Sequence, residues 1–146
     1  MRSIMPLFTW RESYALQVPR IDDEHKLLFA AGDRLHKAIV TGKAAPLLEP
    51  LIDELADYGR THFAHEEEFM VEIRYPRIMA HKGEHQLFTK RVEVFRQAIR
   101  AGDRSQALGI LKFLKDWLVE HIGTSDVQVR EHMQKQPGAA AVVGQG

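Results

Sequence analysis

Hydrophobic and polar positions recur with helical spacing through most of the chain. Apolar residues fall three or four positions apart, a spacing typical of a helix with one buried face. Four such segments follow one another, and none shows the two-residue alternation of a half-buried strand. The pattern predicts four helices. The second starts between Pro46 and Pro50 and ends near Glu72, and the others cover Ile21–Ile39, Ile78–Ile99 and Ala107–Val129.

Short polar, glycine and proline stretches separate these segments. Proline is tolerated only in the first turn of a helix, which sets the start of the second helix. A glycine after the last apolar position commonly ends a helix, and Asp or Ser commonly caps the next one. The predicted breaks are Thr41-Gly42, Arg74-Tyr75-Pro76 and Ala101-Gly102-Asp103, with Asp103 or Ser105 as the cap of the fourth helix.

Four amphipathic helices with short connections pack most simply as an all-α, up-down-up-down antiparallel four-helix bundle. We assign the bundle to residues 21–133. Residues 1–20 show no sustained period, and we predict an extended N-terminal arm that packs on the bundle through Trp10 and Tyr14. Residues 134–146 turn to Gly, Ala and Val without a period, which predicts a disordered tail.

Composition narrows the chemistry that the chain can support. Its 146 residues suit one domain, and twenty basic residues balance twenty acidic ones, so no overall field favours nucleic acid or an anionic membrane. The absence of cysteine excludes disulfides, thiolate zinc sites and cysteine-ligated iron–sulfur clusters. A metal would need nitrogen and oxygen ligands, which suit iron, manganese or zinc. No signal peptide or membrane span is evident, so we expect a cytoplasmic protein.

Polar residues interrupt the apolar rows at one level of the predicted bundle. At 1.5 Å rise per residue, they fall near the start of helices one and three and near the end of helices two and four. A lone buried histidine is usually a hydrogen-bonded core residue, but convergence from four helices favours a metal centre. The candidate ligands are His25, His62, Glu66, His81, His85, His121 and Asp126.

The other histidines fit this centre less well. His36 and His132 each lie eleven residues beyond a candidate ligand, about 16 Å along the helix axis. His65 is the one competitor for a ligand position, although it is rotated out of line with Glu66. Glu67 and Glu68 are expected to face outward as a solvated acidic patch.

Five imidazoles and two carboxylates exceed the needs of one octahedral ion that must also bind a ligand. With two bridging carboxylates and an oxygen bridge, they would serve two ions and leave one coordination position open. A ferritin-like site would need Glu-x-x-His, which the chain lacks. A zinc protease would need His-Glu-x-x-His, whereas residues 81–85 read His-Lys-Gly-Glu-His.

The combined motifs resemble hemerythrin, specifically the bacterial single-domain kind, over about residues 8–132. They are Ile21–Lys26, His62-Phe63 with Glu66-Glu67, His81 with His85, and Trp117–Ile122 with Asp126. The resemblance implies two iron ions per chain. By it, His81, His85 and His121 hold the saturated iron, His25 and His62 hold the iron that binds dioxygen, and Glu66 and Asp126 bridge. It also implies an apolar oxygen pocket lined by Trp117, Leu118 and Ile122.

Two departures from the family pattern leave the ligands intact. Glu24 stands where Gln is common, and we expect it to face water because His25 alone fits the apolar stripe. No aromatic residue follows Asp126. Since Asp126 is five residues beyond His121, about 140° round a regular helix, bridging requires a distortion, and Gly123 favours a π-bulge there.

The resemblance implies reversible dioxygen binding by a carrier, store or scavenger, and not an enzyme. One alternative is an oxygen or redox sensor that acts through an unidentified protein partner, although the chain carries no output domain. Another is peroxide or nitric oxide chemistry at the same diiron site. No inward acid or base beyond the candidate ligands is evident, which disfavours the enzyme.

Overall fold

The four apolar stripes become four antiparallel helical segments, and the last of them is interrupted by a π-helical turn. The computed structural model describes residues 8–42 and 44–135. Within them, the first and the third helical segments each neighbour the second and the fourth, so the predicted four-helix bundle is confirmed. The helices are α1 Pro19–Val40, α2 Ala44–Glu72, α3 Ile78–Arg100, α4 Ala107–Glu120 and α5 Asp126–Lys135, with the π-helical turn His121–Ser125 between the last two.

The first helix begins two residues earlier than predicted, at Pro19. Proline suits the first helical position because its missing N–H would have no partner there, and its fixed φ is helical. At the other end, the Thr41 hydroxyl donates to the Lys37 carbonyl oxygen at 2.8 Å. Gly42 then takes a φ of 72°, which stops the helix.

The start of the second helix was predicted too late. It begins at Ala44, and Pro50 lies inside it. Proline removes one backbone hydrogen bond, and this loss falls near the helix start. The predicted cap of α4 also differs: Asp103 accepts the Ser105 backbone N–H at 3.1 Å, at a 3₁₀ turn over Arg104–Gln106 that precedes α4.

The two ends of the chain lie partly outside the described residues. Helix α5 continues to Lys135, so residues 134 and 135 of the predicted tail are helical, and the rest of the tail is not described. In the arm, Trp10 packs edge-on against Tyr14 and Phe29, and residues 12–14 form a 3₁₀ turn. The Asp22 carboxylate accepts the Leu16 N–H at 2.7 Å and fastens the arm to α1.

The core consists of two hydrophobic clusters separated along the bundle axis by a polar layer. On α1, for example, Ile21 belongs to one cluster, Leu28 to the other, and His25 lies between them. The same order recurs on the other helices. The larger cluster contains Phe63, Phe88, Leu114 and Trp117 among others, and the smaller one contains Met70, Val129 and Met133.

None of the described helices is a candidate membrane span. Among the described residues, no helix combines the length and the hydropathy needed to cross a bilayer.

Two glycines allow the packing of the arm to be tested. A Cβ on Gly32 would lie 2.8 Å from Phe8 Cε2, whereas a Cβ on Gly83 would meet no atom within 4 Å. We expect Gly32→Ala to lower the free energy of unfolding by about 1–3 kcal/mol, because the buried Phe8 ring must shift. Gly83→Ala should raise it by about 0.5–1 kcal/mol through helix propensity alone. Urea unfolding of both variants measures the difference, and equal effects would contradict the observed packing of Phe8.

Candidate metal centre

Seven polar side chains are buried together at one level of the bundle. Among the residues that the structure describes, they are the buried polar or charged ones, and none exceeds 2% exposure. They are the seven candidate ligands of the sequence: His25, His62, Glu66, His81, His85, His121 and Asp126. We call them the polar cluster.

Each helix contributes to the polar cluster from the point where it crosses the layer between the hydrophobic clusters. Helix α1 supplies His25, while α2 and α3 each supply two residues four positions apart, which lie on one face. The π-helical turn begins at His121, and α5 begins at Asp126.

Glu66 lies between two groups of histidines. Its Oε2 is 3.2 Å from His25 Nε2 and 2.9 Å from His62 Nε2. Its other oxygen, Oε1, is 3.2 Å from His85 Nε2 and 3.5 Å from His121 Nε2. One carboxylate therefore turns one oxygen toward each group.

Asp126 divides the histidines in the same way. Its Oδ2 lies 3.1 Å from His25 Nε2, while its Oδ1 lies 2.9 Å from His81 Nε2 and 3.3 Å from His121 Nε2. His81 also contacts Oε1 of Glu66. The five imidazoles thus form a group of two and a group of three, with both carboxylates between them.

The π-helical turn explains how Asp126 reaches the polar cluster. Its backbone N–H donates to the His121 carbonyl oxygen, a bond across five residues instead of four. The wider turn brings both side chains inward, which a regular helix would not allow. The predicted bulge at Gly123 is therefore present, and Tyr14 packs against it, 3.3 Å from where a Cβ would stand.

Three further carboxylates lie on the outer sides of the histidine rings, and we call them the outer carboxylates. Each accepts a hydrogen bond from the Nδ1–H of one ring. The pairs are Glu24 with His62 at 3.1 Å, Glu67 with His85 at 2.8 Å, and Glu84 with His121 at 2.9 Å.

Two of the outer carboxylates overturn predictions. Glu24 was expected to face water, and Glu67 to belong to a solvated acidic patch; both instead hold a buried histidine. Only Glu68 of that patch is exposed. Sequence reasoning missed these contacts because each joins residues on different helices, whose pairing becomes visible only when the helices are packed.

The donor atoms inside the polar cluster suit a cation. Nδ1 of His85 and of His121 is directed outward, so Nε2 of each ring is turned inward, and these two Nε2 atoms lie 3.2 Å apart. Both oxygens of Asp126 and Nε2 of His62 have no partner with hydrogen-bond geometry, although a polar atom lies within about 3 Å of each. Buried acceptors that face one another are unfavourable unless a positive charge lies between them. Two groups are close enough to hold an ion: His25, His62 and Glu66, and Glu66, His81, His85 and His121.

Electrostatics in the metal-free cluster favour charged forms. Burial lowers the pKa of His25 and of His81, but contacts with Asp126 and Glu66 outweigh it and raise both pKa values to about 9. The hydrogen bond from His121 lowers the pKa of Glu84. A cation would take the place of the protons that the imidazoles otherwise bind.

The remaining histidines lie outside the polar cluster. His65 Nδ1 donates to Glu24 at 2.5 Å, and Arg20 contacts its other ring nitrogen, so its partners are outside the cluster. His132 Nε2 donates to the carbonyl oxygen of Ile73 at 3.0 Å, and His36 is partly buried on α1.

The three predicted pocket residues are all buried, and all three belong to the larger hydrophobic cluster. Trp117 stacks on His121 with ring centroids 4.3 Å apart, which places it beside the group of three histidines. Two aromatic rings lie beside the group of two: the Trp10 centroid is 6.4 Å from that of His25, and the Phe63 centroid is 5.8 Å from that of His62. Nothing in the sequence links Trp10 to His25, which lies fifteen residues further on.

The fold and the polar cluster define a four-helix bundle with a buried histidine and carboxylate cation site. In a comparison with protein families, residues 17–129 match the hemerythrin HHE cation binding domain. The chain belongs to the hemerythrin family. Membership implies non-haem iron, and the buried histidine and carboxylate cluster fits such a site.

Individual relatives extend this match over most of the chain. The bacteriohemerythrin of Stenotrophomonas maltophilia (strain R551-3) is 36% identical over 136 residues, which cover 90% of this chain and 87% of that protein. Myohemerythrin-1 of Phascolopsis gouldii is 28% identical over 123 residues, which cover 84% of this chain and 92% of that protein. A crystal structure of wild-type hemerythrin superposes with a TM-score of 0.77 at 30% identity, over 84% of this chain and 95% of that one.

The raised pKa values predict how the stability of the metal-free protein depends on pH. A histidine in the unfolded chain has a pKa near 6.5, so His25 and His81 contribute stability that is fully present below pH 6.5. This contribution is lost as the pH rises through about 9. We expect the metal-free protein to lose roughly 1–3 kcal/mol between pH 6.5 and 9.

Thermal unfolding at several pH values, with and without bound metal, measures this effect. Metal-loaded protein should not show the loss, because its histidines are already deprotonated and metal affinity rises with pH. A metal-free protein that is equally stable, or more stable, at pH 9 would contradict the assigned shifts.

Proposed function

We propose that this chain binds dioxygen reversibly at a pair of non-haem iron ions held by the polar cluster. The observation that carries the proposal is the uneven division of five imidazoles by two carboxylates, each with one oxygen toward either group. When bound, two ferrous ions supply the electrons for a reversible reaction with dioxygen.

The residues would divide the work unequally. His81, His85 and His121 would hold one iron and His25 and His62 the other, with Glu66 and Asp126 shared between them. The group of two supplies one nitrogen fewer, which leaves a coordination position for a small ligand on the side of His25 and His62. This arrangement uses two irons per chain.

The surroundings of the group of two would keep water and protons away. His25 and His62 are buried, and the arm places the Trp10 ring next to His25. An apolar shell that limits solvent access slows the irreversible oxidation of a ferrous site. We assign Leu118 and Ile122 to the wall of this pocket, together with Trp117 behind His121.

A carrier, store or scavenger fits these residues better than an enzyme does. The buried polar side chains among the described residues are all committed as ligands in this proposal, so none of them is left as a general acid or base. The names of the relatives, bacteriohemerythrin and myohemerythrin, agree with an oxygen-binding role.

Dioxygen binding can be tested on reduced protein. Anaerobic protein reconstituted with ferrous iron should contain about two irons per chain and gain a visible absorption band when air is admitted. The band should disappear again when oxygen is removed, through several cycles. A single irreversible change would exclude a carrier, and an iron content well below two would exclude the diiron centre.

Replacing individual histidines tests the ligand assignment. We expect His62→Ala to lower the iron content toward about one per chain and to abolish the oxygen-dependent absorption, because the group of two loses a nitrogen. His36→Ala is the matched control, since His36 lies on α1 about 16 Å from His25 along the helix axis. It should leave both measurements unchanged. An oxygen-dependent band that survives in His62→Ala would contradict the assignment, provided that circular dichroism shows the variant folded.

A further inference from the structure

We propose that Glu84 is a positioning residue that fastens both ends of the π-helical turn, and thereby fixes His121 and Asp126 in the polar cluster. This inference deepens the proposed function. Its iron-binding measurement rests on the proposed metal centre, whereas the hydrogen bonds from which it is argued do not. It assigns a role to the one acidic residue between His81 and His85.

Glu84 reaches the turn with a single oxygen atom. Its Oε1 accepts the Nδ1–H of His121 at 2.9 Å and the hydroxyl of Ser125 at 2.7 Å. His121 is the first residue of the π-helical turn, and Ser125 is the last. One carboxylate on α3 therefore holds the beginning and the end of the turn at a fixed separation.

This attachment acts on a conformation that the sequence does not favour by itself. A π-helical turn is rare compared with a regular helix, and it persists where surrounding contacts hold it. If the segment returned to a regular helix, Asp126 would rotate away from the cluster by a large fraction of a turn. Tyr14 packs on the Gly123 side of the same turn, so contacts from α3 and from the arm both engage it.

Glu84 differs in this respect from the other outer carboxylates. Glu67 also accepts the Nδ1–H of a buried histidine, but that residue is His85, on regular helix α3. Glu24 contacts His62 and His65, both on α2. Only Glu84, among the three, joins a histidine to a second polar group within the π-helical turn. Its side chain is 40% exposed, and its bonded oxygen faces His121 Nδ1, so its position is that of a support and not of a ligand.

The comparison of Glu84→Ala with Glu67→Ala tests this role. Both variants remove one outer carboxylate, and each should weaken iron binding by about 10- to 100-fold. Hydrogen exchange followed by mass spectrometry, at saturating iron, then reports on residues 118–128. We expect Glu84→Ala to speed exchange in this segment at least about tenfold, because the Asp126 N–H bond to His121 opens, whereas Glu67→Ala leaves it unchanged.

Two milder variants keep the test decisive if Glu84→Ala does not fold. Glu84→Gln retains an oxygen that can accept both hydrogen bonds, so it should preserve slow exchange in residues 118–128. Ser125→Ala removes only one end of the attachment and should speed exchange to a smaller extent. Two results together would overturn the proposal. Ser125→Ala would exchange as slowly as the wild type and Glu84→Gln, and Glu84→Ala would exchange no faster than Glu67→Ala where both fold.

The exchange measurement separates this inference from the proposed function. It depends on the hydrogen bonds of the turn and not on dioxygen. If the protein failed to bind dioxygen but Glu84→Ala still released the turn selectively, the role of Glu84 would stand. If dioxygen binding were reversible but the turn were indifferent to Glu84, only this inference would fail.

Discussion

The constraint on which the rest of the structure depends is the unfavourable free energy of burying seven polar side chains in one layer. Buried acceptors need a donor or a positive charge between them, and here Nε2 of His85 and Nε2 of His121 face each other across 3.2 Å, with oxygens of Glu66 and Asp126 beside them. In the metal-free protein bound protons supply this positive charge, and a bound cation would take their place. Because a metal ion and protons compete for the same side chains, the stability that this layer gives the folded chain is linked to metal binding.

This layer also determines how the bundle is built. It divides the core into two hydrophobic clusters, and every helix passes from one cluster to the other through it. Regular helices suffice for His25, His62, Glu66, His81 and His85, because residues four apart share a face. The last carboxylate does not fit this spacing, and the π-helical turn accommodates it. Glu84 and Tyr14 contact that turn from α3 and from the arm, so elements distant in sequence support one local irregularity.

Most of the fold and of the polar cluster could be predicted from the sequence, because both depend on periodicity along one helix. The interruption of apolar stripes by histidine and carboxylate located all seven residues, and the five-residue separation of His121 and Asp126 predicted the bulge. The roles of Glu24, Glu67 and Glu84 could not be predicted this way. Each is a neighbour of a stripe residue and bonds a histidine that lies outside its own helix, a contact that no spacing within one helix reveals.

The outer carboxylates add a second consequence that concerns charge. A carboxylate that accepts the Nδ1–H of an imidazole makes the ring a stronger donor to a metal, and negative charge nearby favours the higher oxidation state of iron. Reversible oxygen binding also requires that iron return to the ferrous state when dioxygen leaves, so the preference for the higher oxidation state must not be too strong. Two of the three outer carboxylates act on the group of three histidines, through His85 and His121, and only Glu24 acts on the group of two. The added electron density would thus be greater at the iron held by the group of three, away from the proposed position of dioxygen.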